Sequence, residues 1–275
     1  MDHVKIIISS IDQADTDILV ALLSEMGYDG FEEINGCLLA YIGRESFDES
    51  LVEALRETHN FSYTIEVVPA QNWNALWESN FQPVIIDGFC TVRAHFHDIE
   101  VNTPYDIIIT PKMSFGTGHH ATTVLMMQAM KNLDLKDKEI IDFGSGTGIL
   151  AILAEMLGAA SIKAIDNDEW CTENALENVV RNNCHKISVQ TGSLELVQDN
   201  RVDVILANIN RHILVHYLPM MHQVIKDDGL LLMSGLLVDD REIMVKAGIE
   251  AGFEFVSGSE HNGWIALQFK KTVFH

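Results

Sequence analysis

The stretch Glu139-Ile-Ile-Asp-Phe-Gly-Ser-Gly-Thr-Gly-Ile-Leu-Ala-Ile-Leu153 decides the fold of this 275-residue chain. Its first five residues are mostly apolar and predict a buried strand, and the apolar run from Ile149 to Leu157 predicts a helix. Gly144, Gly146 and Gly148 separate the two. Glycine allows a ligand to approach the backbone closely, and the first turn of a helix offers N–H donors without intrahelical partners. The stretch therefore predicts a ligand-binding loop between a strand and a helix.

Two classes of nucleoside cofactor compete for this loop. Dinucleotides use the spacing Gly-x-Gly-x-x-Gly, but Ile149 stands at the position of the third glycine. Asp142 precedes the loop, where its carboxylate would repel a pyrophosphate but suits the ammonium group of a bound amino acid. Asp166 lies 22 residues after Gly144 at the end of the next strand, where a carboxylate can accept both ribose hydroxyls. The glycine spacing favours S-adenosyl-L-methionine (SAM) over NAD.

From residue 139 onward, predicted strands alternate with predicted helices. The strands are 139–143, 161–165, 187–190, 202–207 and 230–234, and the helices are 149–157, 169–182, 211–225 and 239–251. This alternation predicts a parallel sheet with helices on both faces. Phe253 to Ser257 and Trp264 to Phe269 predict a closing antiparallel pair. The expected fold class is α/β, with a Rossmann-like, mostly parallel sheet of seven strands.

The first 68 residues predict a separate small unit. The order of its elements is β-α-β-β-α-β, the ferredoxin-like pattern, and Asn35-Gly36 predicts the hairpin turn between its second and third strands. Pro69 ends this unit, and a helix over 71–80 would bring Trp73 and Trp77 to one face. The predicted domains are 1–68, a linker helix at 69–83 and the main α/β domain at 84–275.

The fourth strand of the predicted sheet ends at Ala207-Asn208-Ile209-Asn210. Ligands of such sheets bind beyond the carboxyl ends of the strands, which places Asn208 beside the reactive end of the cofactor. Its side-chain oxygen can accept a hydrogen bond from an amine and direct the nitrogen lone pair at a methyl group. The alternative is that Asn208 only caps the following helix. We favour a catalytic role for Asn208.

A second glycine-containing loop, Phe115-Gly-Thr-Gly-His-His-Ala-Thr-Thr123, lies before the sheet. It predicts a loop that folds over a ligand, to which Thr122 or Thr123 could donate a hydroxyl hydrogen bond. His119 and His120 are adjacent, and adjacent histidines rarely point at the same ion. His212 and His216 are four residues apart but lack the glutamate of the zinc motif His-Glu-x-x-His. We therefore expect no metal site.

The composition is strongly acidic, with 40 acidic and 18 basic residues and a net charge of −22. Phosphate contacts supply most of the affinity for nucleic acid, so direct nucleic-acid binding is not expected, whereas a basic protein would be attracted. The alternative is that the acidic charge only keeps the chain in solution. The four cysteines form no Cys-x-x-Cys pair, and residues 1–10 lack the apolar core of a signal peptide. No apolar run reaches the roughly 20 residues of a membrane helix. We expect a cytoplasmic monomer.

Three segments together resemble the PrmA-type ribosomal protein L-eleven methyltransferases: Phe115 to Thr123, Ile141 to Leu153, and Ala207 to Ile209. Trp73 to Pro83 and Ser234 to Leu237 are also similar to that family. The resemblance covers most of the chain and is weakest before Gln71. It implies a class I SAM-dependent methyltransferase domain, a linker, and a small domain that docks the ribosomal protein. It further implies methylation of lysine and N-terminal amines of that protein, with the small domain moving between sites.

The resemblance also implies that SAM contacts Thr123, Gly144, Asp166 and Asn208. Further candidates for cofactor contact are Phe115, Gly116, Thr117, Asp142, Gly146, Gly148 and Asn167. One departure concerns the third strand, which leads to Gly192-Ser193, where many methyltransferases place an acid that faces the adenine. Recognition of adenine from that position is left open.

Three other functions compete with protein-amine methylation. Enzymes that methylate glutamine or the amines of nucleic-acid bases generally show Asn-Pro-Pro-Tyr at a position where this chain has Asn208-Ile209-Asn210-Arg211. A non-catalytic SAM-binding regulator would not need Asn208 or the threonine loop. An NAD-dependent oxidoreductase is disfavoured by the glycine spacing.

Overall fold

The chain folds into two compact units, residues 1–81 and 82–275. The computed structural model describes residues 2–9, 13–69, 78, 80–112, 114–197 and 201–272. The helix expected over 71–80, with Trp73 and Trp77, lies almost entirely outside the described residues. The assignment of 69–83 as a linker therefore stays a prediction.

The small unit is a four-stranded antiparallel sheet with two helices. Its elements are β1 (His3–Ser9), α1 (Gln13–Glu25), β2 (Gly30–Ile34), β3 (Cys37–Gly43), α2 (Glu49–His59) and β4 (Ser62–Val68). The strand order is β2-β3-β1-β4, which confirms the ferredoxin-like fold. Asn35 and Gly36 both have positive φ and form the predicted turn.

Alternation along the strands explains why this sheet has one covered face. Every second residue of β1 is buried, namely Val4, Ile6 and Ile8, and the same holds for Leu38, Ala40 and Ile42 of β3. These side chains pack with Leu19 and Leu23 of α1 and Val52 of α2. Because a strand's side chains alternate between faces, the residues between them lie on the open face of the sheet.

The large unit is built around a seven-stranded sheet. Its elements are β5 (Val84–Ile86), β6 (Cys90–Arg93), β7 (Tyr105–Ile108), α3 (Ala121–Met130), β8 (Glu139–Phe143), α4 (Ile149–Met156), β9 (Ser161–Asp166), α5 (Glu169–Arg181), β10 (Ile187–Thr191), β11 (Val202–Asn208), α6 (Arg211–Val224), β12 (Ile225–Leu237), α7 (Arg241–Glu250), β13 (Phe253–His261) and β14 (Trp264–Lys271). The order is β10-β9-β8-β11-β12-β14-β13, and β14 alone runs in the direction opposite to the other six strands. This confirms the predicted mostly parallel sheet. Strands β5, β6 and β7 form a separate three-stranded sheet.

Two apolar clusters pack on the two faces of the seven-stranded sheet. Helix α4 contributes Ile149 to Ala154 to one cluster, and all six residues are buried. Leu214, Leu218 and Met221 of α6 belong to the other cluster. Central strands covered on both faces are apolar at nearly every position, which is why β8 and β11 lack the alternation seen in β1.

Strand β12 is longer than the sequence predicts. The predicted strand covers residues 230–234. In the structure the strand begins at Ile225, but its ladder with β11 passes from Ile225 directly to Leu230 and Asp228 has a φ of 62°, so residues 226–229 form a bulge within the strand. Lys270 lies 2.7 Å from Asp228, and Lys271 lies 3.4 Å from Asp227. At its start, the difference is the pairing of Ile225 with Val202 of β11, a contact between strands that no local pattern reports.

Two asparagines on α5 and the asparagine that caps its C-terminus fix the segment that leads into the second glycine loop. Asn182 pairs with both backbone groups of Ile108, at 2.8 and 2.7 Å. Asn178 accepts from the N–H of Thr110 at 2.8 Å, and Asn174 donates to its carbonyl at 3.2 Å. The spacing of four residues puts the three amides on one helix face.

In the part of the chain that the structure describes, no helix combines the length and apolar character needed to cross a membrane.

Candidate active site

The first glycine loop is hydrogen-bonded to the end of β9. The N–H groups of Gly144 and Ser145 donate to the carbonyl of Ile165 at 2.8 and 3.1 Å. The N–H of Gly146 donates to Oδ2 of Asp166 at 2.8 Å, while Oδ1 of the same carboxylate accepts from Asp168 at 3.1 Å. Asp166 thus shapes the loop, and each of its oxygens keeps a lone pair for a further donor.

The glycines of this loop are required by neighbouring protein atoms. Gly144 and Gly146 have positive φ, and a Cβ on them would collide with Ile209 and with the carbonyl oxygen of Phe115, respectively. A Cβ on Gly116 would lie 2.7 Å from Oγ1 of Thr147. The close approach of a ligand is the reason that the sequence predicts for these glycines. The structure adds a second reason, which is that two loops pack against each other without side chains between them.

We expect Gly146→Ala to destabilise the large unit by about 2–4 kcal/mol, because it combines an unfavourable φ with a backbone clash. Gly263 is a matched control, since its φ is also positive and nothing lies within 4 Å of its Cβ position. Gly263→Ala should therefore lose only about 1–2 kcal/mol, from φ alone. Denaturant unfolding of both variants measures the difference. Equal losses would show that the packing of the two loops adds nothing.

The second glycine loop is anchored to the first. Thr147 donates its N–H to the carbonyl of Phe115 at 3.0 Å and its hydroxyl to the carbonyl of Gly116 at 2.5 Å. His120 caps α3: its Nδ1 accepts from the N–H of Thr122 at 3.3 Å and lies 2.8 Å from the Thr122 hydroxyl. The second glycine loop thus packs on the first one, which directly follows the carboxyl end of β8.

Three aromatic rings form a row along this loop. The ring of His120 lies 5.1 Å from that of Phe115 and 4.7 Å from that of Trp264, both edge-on. Phe115 is half exposed. Trp264 opens β14, which runs antiparallel to β12, so it stands at the same edge of the sheet as Asn208. The row is therefore an apolar wall beside the carboxyl ends of β11 and β12.

The two adjacent histidines have separate partners. His119 places Nε2 2.8 Å from the carbonyl of Gln82 and Nδ1 3.1 Å from the Thr117 hydroxyl, whereas His120 serves as a helix cap. Among the described residues, no group of three or more His, Cys, Asp or Glu could hold a metal ion.

A cleft of about 430 Å³ is lined by Ser114, Phe115, Gly116, Thr117, His119 and His120.

Four buried polar atoms converge on the carboxyl ends of β8 and β11 without a hydrogen-bond partner within the described part of the chain. They are Oγ1 of Thr123, Oδ1 of Asp142, Oγ of Ser145 and Oδ1 of Asn208. A buried polar atom without a partner is unfavourable by about 1–3 kcal/mol, so four at one place indicate a polar ligand. Of the two candidate threonines, Thr123 is the one with a free hydroxyl, because Thr122 is engaged by His120.

Asp142 is the most perturbed acid of the site. Its side chain is fully buried, and burial raises the pKa of this carboxyl to about 7, although the N–H of Ala151 donates to it at 3.1 Å. Asp166 raises the same pKa slightly further through like charge. A cationic group beside Oδ1 would restore the ionised form.

Asn208 does not cap α6. That helix is capped by Asn210, whose Oδ1 accepts from the N–H of Ile213 at 3.2 Å. The alternative interpretation of Asn208 is therefore wrong, and its oxygen is left facing the site. Asp168, by contrast, caps α5, because its Oδ1 accepts from the N–H of Trp170 at 2.8 Å.

The structure brings most of the predicted site residues to one edge of the sheet. Thr123, Asp142, Gly144, Gly146, Gly148, Asp166 and Asn208 lie around the ends of β8, β9 and β11, with Phe115, Gly116 and Thr117 in the anchored loop above. Asn167 is exposed directly after Asp166. Sequence reasoning missed Ser145, which sits inside the quoted motif, and Trp264, which the predicted antiparallel last strand could have placed here.

The sequence profile of one protein family, described as "Ribosomal protein L11 methyltransferase (PrmA)", matches residues 6–272. This chain belongs to that family. Ribosomal protein L11 methyltransferases of Phocaeicola vulgatus and Porphyromonas gingivalis are each 40% identical to it, over 263 and 260 residues. These matches cover 92% of this chain and 92% and 90% of the two relatives.

Similarity extends to the solved structures. The ribosomal protein L11 methylase of Lactobacillus delbrueckii subsp. bulgaricus superposes with a TM-score of 0.65 and 27% identity, over 70% of this chain and all of that one. The Rossmann-like sheet of this L11 methyltransferase family member is thus a class I methyltransferase fold. The family profile starts within β1 and ends at the end of β14, so it spans both units.

Proposed function

We propose that this protein transfers methyl groups from SAM to lysine and N-terminal amines of ribosomal protein L11. Membership of the L11 methyltransferase family supports the substrate. The single observation that carries the chemistry is the set of four unpartnered polar atoms, on Thr123, Asp142, Ser145 and Asn208, at the carboxyl ends of β8 and β11. They fit a ligand with an ammonium group, hydroxyls and a reactive end near β11.

The residues present fit SAM along the edge of the sheet. Asp142 would accept from the ammonium of the methionine part, and Asp166 from the ribose hydroxyls. Thr123 and Ser145 would supply hydroxyls to the same ligand. When bound, SAM supplies a methyl group that its sulfonium already activates, so the protein's task is binding, orientation and exclusion of water.

Asn208 would align the acceptor amine. Its Oδ1 accepts an N–H of the neutral amine and turns the nitrogen lone pair toward the methyl carbon, and such positioning can supply a large part of the rate enhancement. A lysine must lose its proton first. Beside the aromatic row of Phe115, His120 and Trp264, an ammonium is poorly solvated, which lowers the pKa of the lysine and favours the neutral form.

His120 is not the base in this scheme. Its Nδ1 accepts the backbone N–H of Thr122, so in the neutral ring the proton resides on Nε2. Taking a second proton at Nδ1 would break the cap of α3. Its role is to cap the helix and to complete the apolar wall, and the amine proton leaves to solvent.

The small unit is the proposed docking domain for L11. Residues 1–81 hold fifteen acidic and three basic residues, so more than half of the net charge of −22 resides in less than a third of the chain. An excess of this size attracts a basic protein at long range. Movement of this unit between amines of one substrate stays part of the proposal.

Labelled SAM tests the proposal directly. The purified protein is offered unmethylated L11, other ribosomal proteins and ribosomal RNA in separate reactions, and mass spectrometry locates the methyl groups. We expect label on amines of L11 alone. Label on RNA or on a glutamine side chain would overturn the proposed function while leaving the fold intact.

A further inference from the structure

An ion pair joins the two loops that follow the neighbouring strands β11 and β12. Nη1 of Arg211 lies 2.5 Å from Oδ1 of Asp240, and Oδ2 of the same carboxylate accepts the N–H of Leu237 at 3.0 Å. Arg211 is the first residue of α6, three residues after Asn208, whereas Leu237 ends β12 and Asp240 directly precedes α7. The carboxylate of Asp240 therefore binds both loops at once.

The place of Arg211 in its helix is unfavourable without this partner. The N-terminus of a helix carries a partial positive charge, so a cation in the first turn is disfavoured. Asp240 offsets this effect, and its side chain is 13% exposed, against 35% for that of Arg211. Salt screens a partly buried ion pair less than one on the surface. The arginine is therefore accounted for by its contact with Asp240 rather than by the helix that it begins.

The loop that carries Asn208 is closely packed on both sides. The next residue, Ile209, lies between two glycines. A Cβ on Gly144 would collide with the side chain of Ile209, and a Cβ on Gly235 of β12 would collide with its carbonyl oxygen. Arg211 then ties the end of the same loop to Asp240. Asn208 thus stands at the start of a segment that is fixed by its neighbours.

The loop after β12 is tied to the aromatic row of Phe115, His120 and Trp264. Leu237 is the register partner of Trp264 in the antiparallel pair of β12 and β14. The N–H of the next residue, Val238, donates to the carbonyl of the residue before Trp264 at 3.1 Å. A shift of Leu237 would therefore move the ring of Trp264, beside which the acceptor amine is proposed to bind.

We infer that Asp240 is a positioning residue for methyl transfer, which sets the separation between the amide oxygen of Asn208 and the ring of Trp264. This inference rests on the proposed function, in which these two side chains flank the acceptor amine. Asp240 acts through them, because it holds the loop after β11 and the loop after β12 together. Alignment of an amine with a methyl group tolerates little displacement, since a shift of about 1 Å can lower a rate about 100-fold.

Asp240→Ala is expected to lower the single-turnover rate of L11 methylation about tenfold or more, at a temperature where the variant is fully folded. The dissociation constant for S-adenosyl-L-homocysteine should stay nearly unchanged, because its proposed partners lie elsewhere. Arg211→Met is a second variant, which keeps the contact of Asp240 with Leu237 and removes only the link to α6. Its rate should fall in the same direction. Unchanged rates in both variants would overturn the inference.

Asp203→Ala is the matched control. Asp203 also binds a backbone N–H and a cation, since its Oδ2 accepts the N–H of Glu139 at 2.9 Å and lies 3.0 Å from Nζ of Lys226. It lies near the start of β11, about 17 Å along the strand from Asn208. Its removal should lower the unfolding temperature about as much as Asp240→Ala does and leave the rate unchanged. Equal rate losses would show that general loosening of the sheet, and not alignment, is responsible.

A double variant tests whether Asp240 acts through Asn208. When Asp240→Ala is added to Asn208→Ala, the rate should fall little further, because the oxygen to be positioned is already gone. Additive losses would assign Asp240 to a different role and overturn the inference.

The outcomes separate this inference from the function on which it rests. If the unchanged protein transfers no methyl group to amines of L11, the proposed function is wrong and the inference falls with it. If L11 is methylated at amines but Asp240→Ala and Asp203→Ala have the same rate, the role of Asp240 alone is wrong and the methyltransferase proposal stands.

Discussion

Asn208→Ala is expected to lower the rate of methyl transfer about 100-fold or more while the dissociation constant for S-adenosyl-L-homocysteine changes little. Removing one preorganised polar group from an active site typically has an effect of this size on the rate. The cofactor has several other partners in the proposed site, on Thr123, Asp142 and Asp166, so its affinity does not depend on this oxygen. Single-turnover kinetics with L11 and titration with the homocysteine product measure the two quantities separately.

Asn210→Ala is the control for this experiment. Asn210 lies two residues away and caps α6 with the same kind of side chain, but its oxygen is used by the N–H of Ile213. Its removal should lower stability by about 1 kcal/mol and leave the rate close to that of the unchanged protein. If Asn208→Ala instead loses cofactor affinity in proportion to rate, or if the two variants behave alike, the proposed alignment of the amine by Asn208 is wrong.

The strand–loop–helix segment was readable from sequence because its signals are local. The glycines at 144, 146 and 148, the apolar run after them, and Asp166 at the end of the next strand each report their own conformation or position. The strand order of such a sheet then fixes which loops meet at its carboxyl edge. For that reason Asn208 and Asp142 could be placed in one site before their contacts were known.

Contacts between distant segments could not be read in the same way. Nothing local to Phe115 shows that its carbonyl oxygen occupies the space beside Gly146, and nothing near Asp228 shows that Lys270 will neutralise it. The hydroxyl of Ser193 is hydrogen-bonded to Tyr217, which lies 24 residues further along the chain. One long-range contact does have a signal in the sequence. The asparagines at 174, 178 and 182 share a helix face, and a row of amides buried there indicates that the helix binds a backbone segment through hydrogen bonds.

The affinity for S-adenosyl-L-homocysteine is expected to fall as the pH drops below about 7, by up to tenfold per pH unit. In the free protein, burial raises the pKa of Asp142 to about 7 from an ordinary value of 3.8, so the carboxyl becomes protonated in this range. The proposed ammonium contact requires the ionised form. Binding therefore releases a proton at pH 6, and almost none at pH 8.5.

The raised pKa of Asp142 affects the stability of the fold in the opposite direction. Stability falls as the pH rises, whereas the affinity for the ligand increases. Between about pH 4 and 7 the folded chain keeps a proton on Asp142 that the unfolded chain has lost, so this group's contribution falls as the pH rises through that window. Asp142→Asn retains an oxygen for the N–H of Ala151 but cannot ionise. At pH 8 we expect the variant to unfold at a higher temperature and yet to bind the ligand more weakly, a separation that a purely structural role would not produce.

Titration calorimetry in buffers of different ionisation enthalpy counts the released proton. The unchanged protein should show close to one proton released at pH 6, and Asp142→Asn should show none and a flat affinity between pH 5.5 and 8. Asp166→Asn removes the other carboxylate of the site, whose oxygens accept the N–H groups of Gly146 and Asp168, and should preserve the pH dependence. A pH profile that survives Asp142→Asn would place the titrating group elsewhere and remove the proposed ammonium contact.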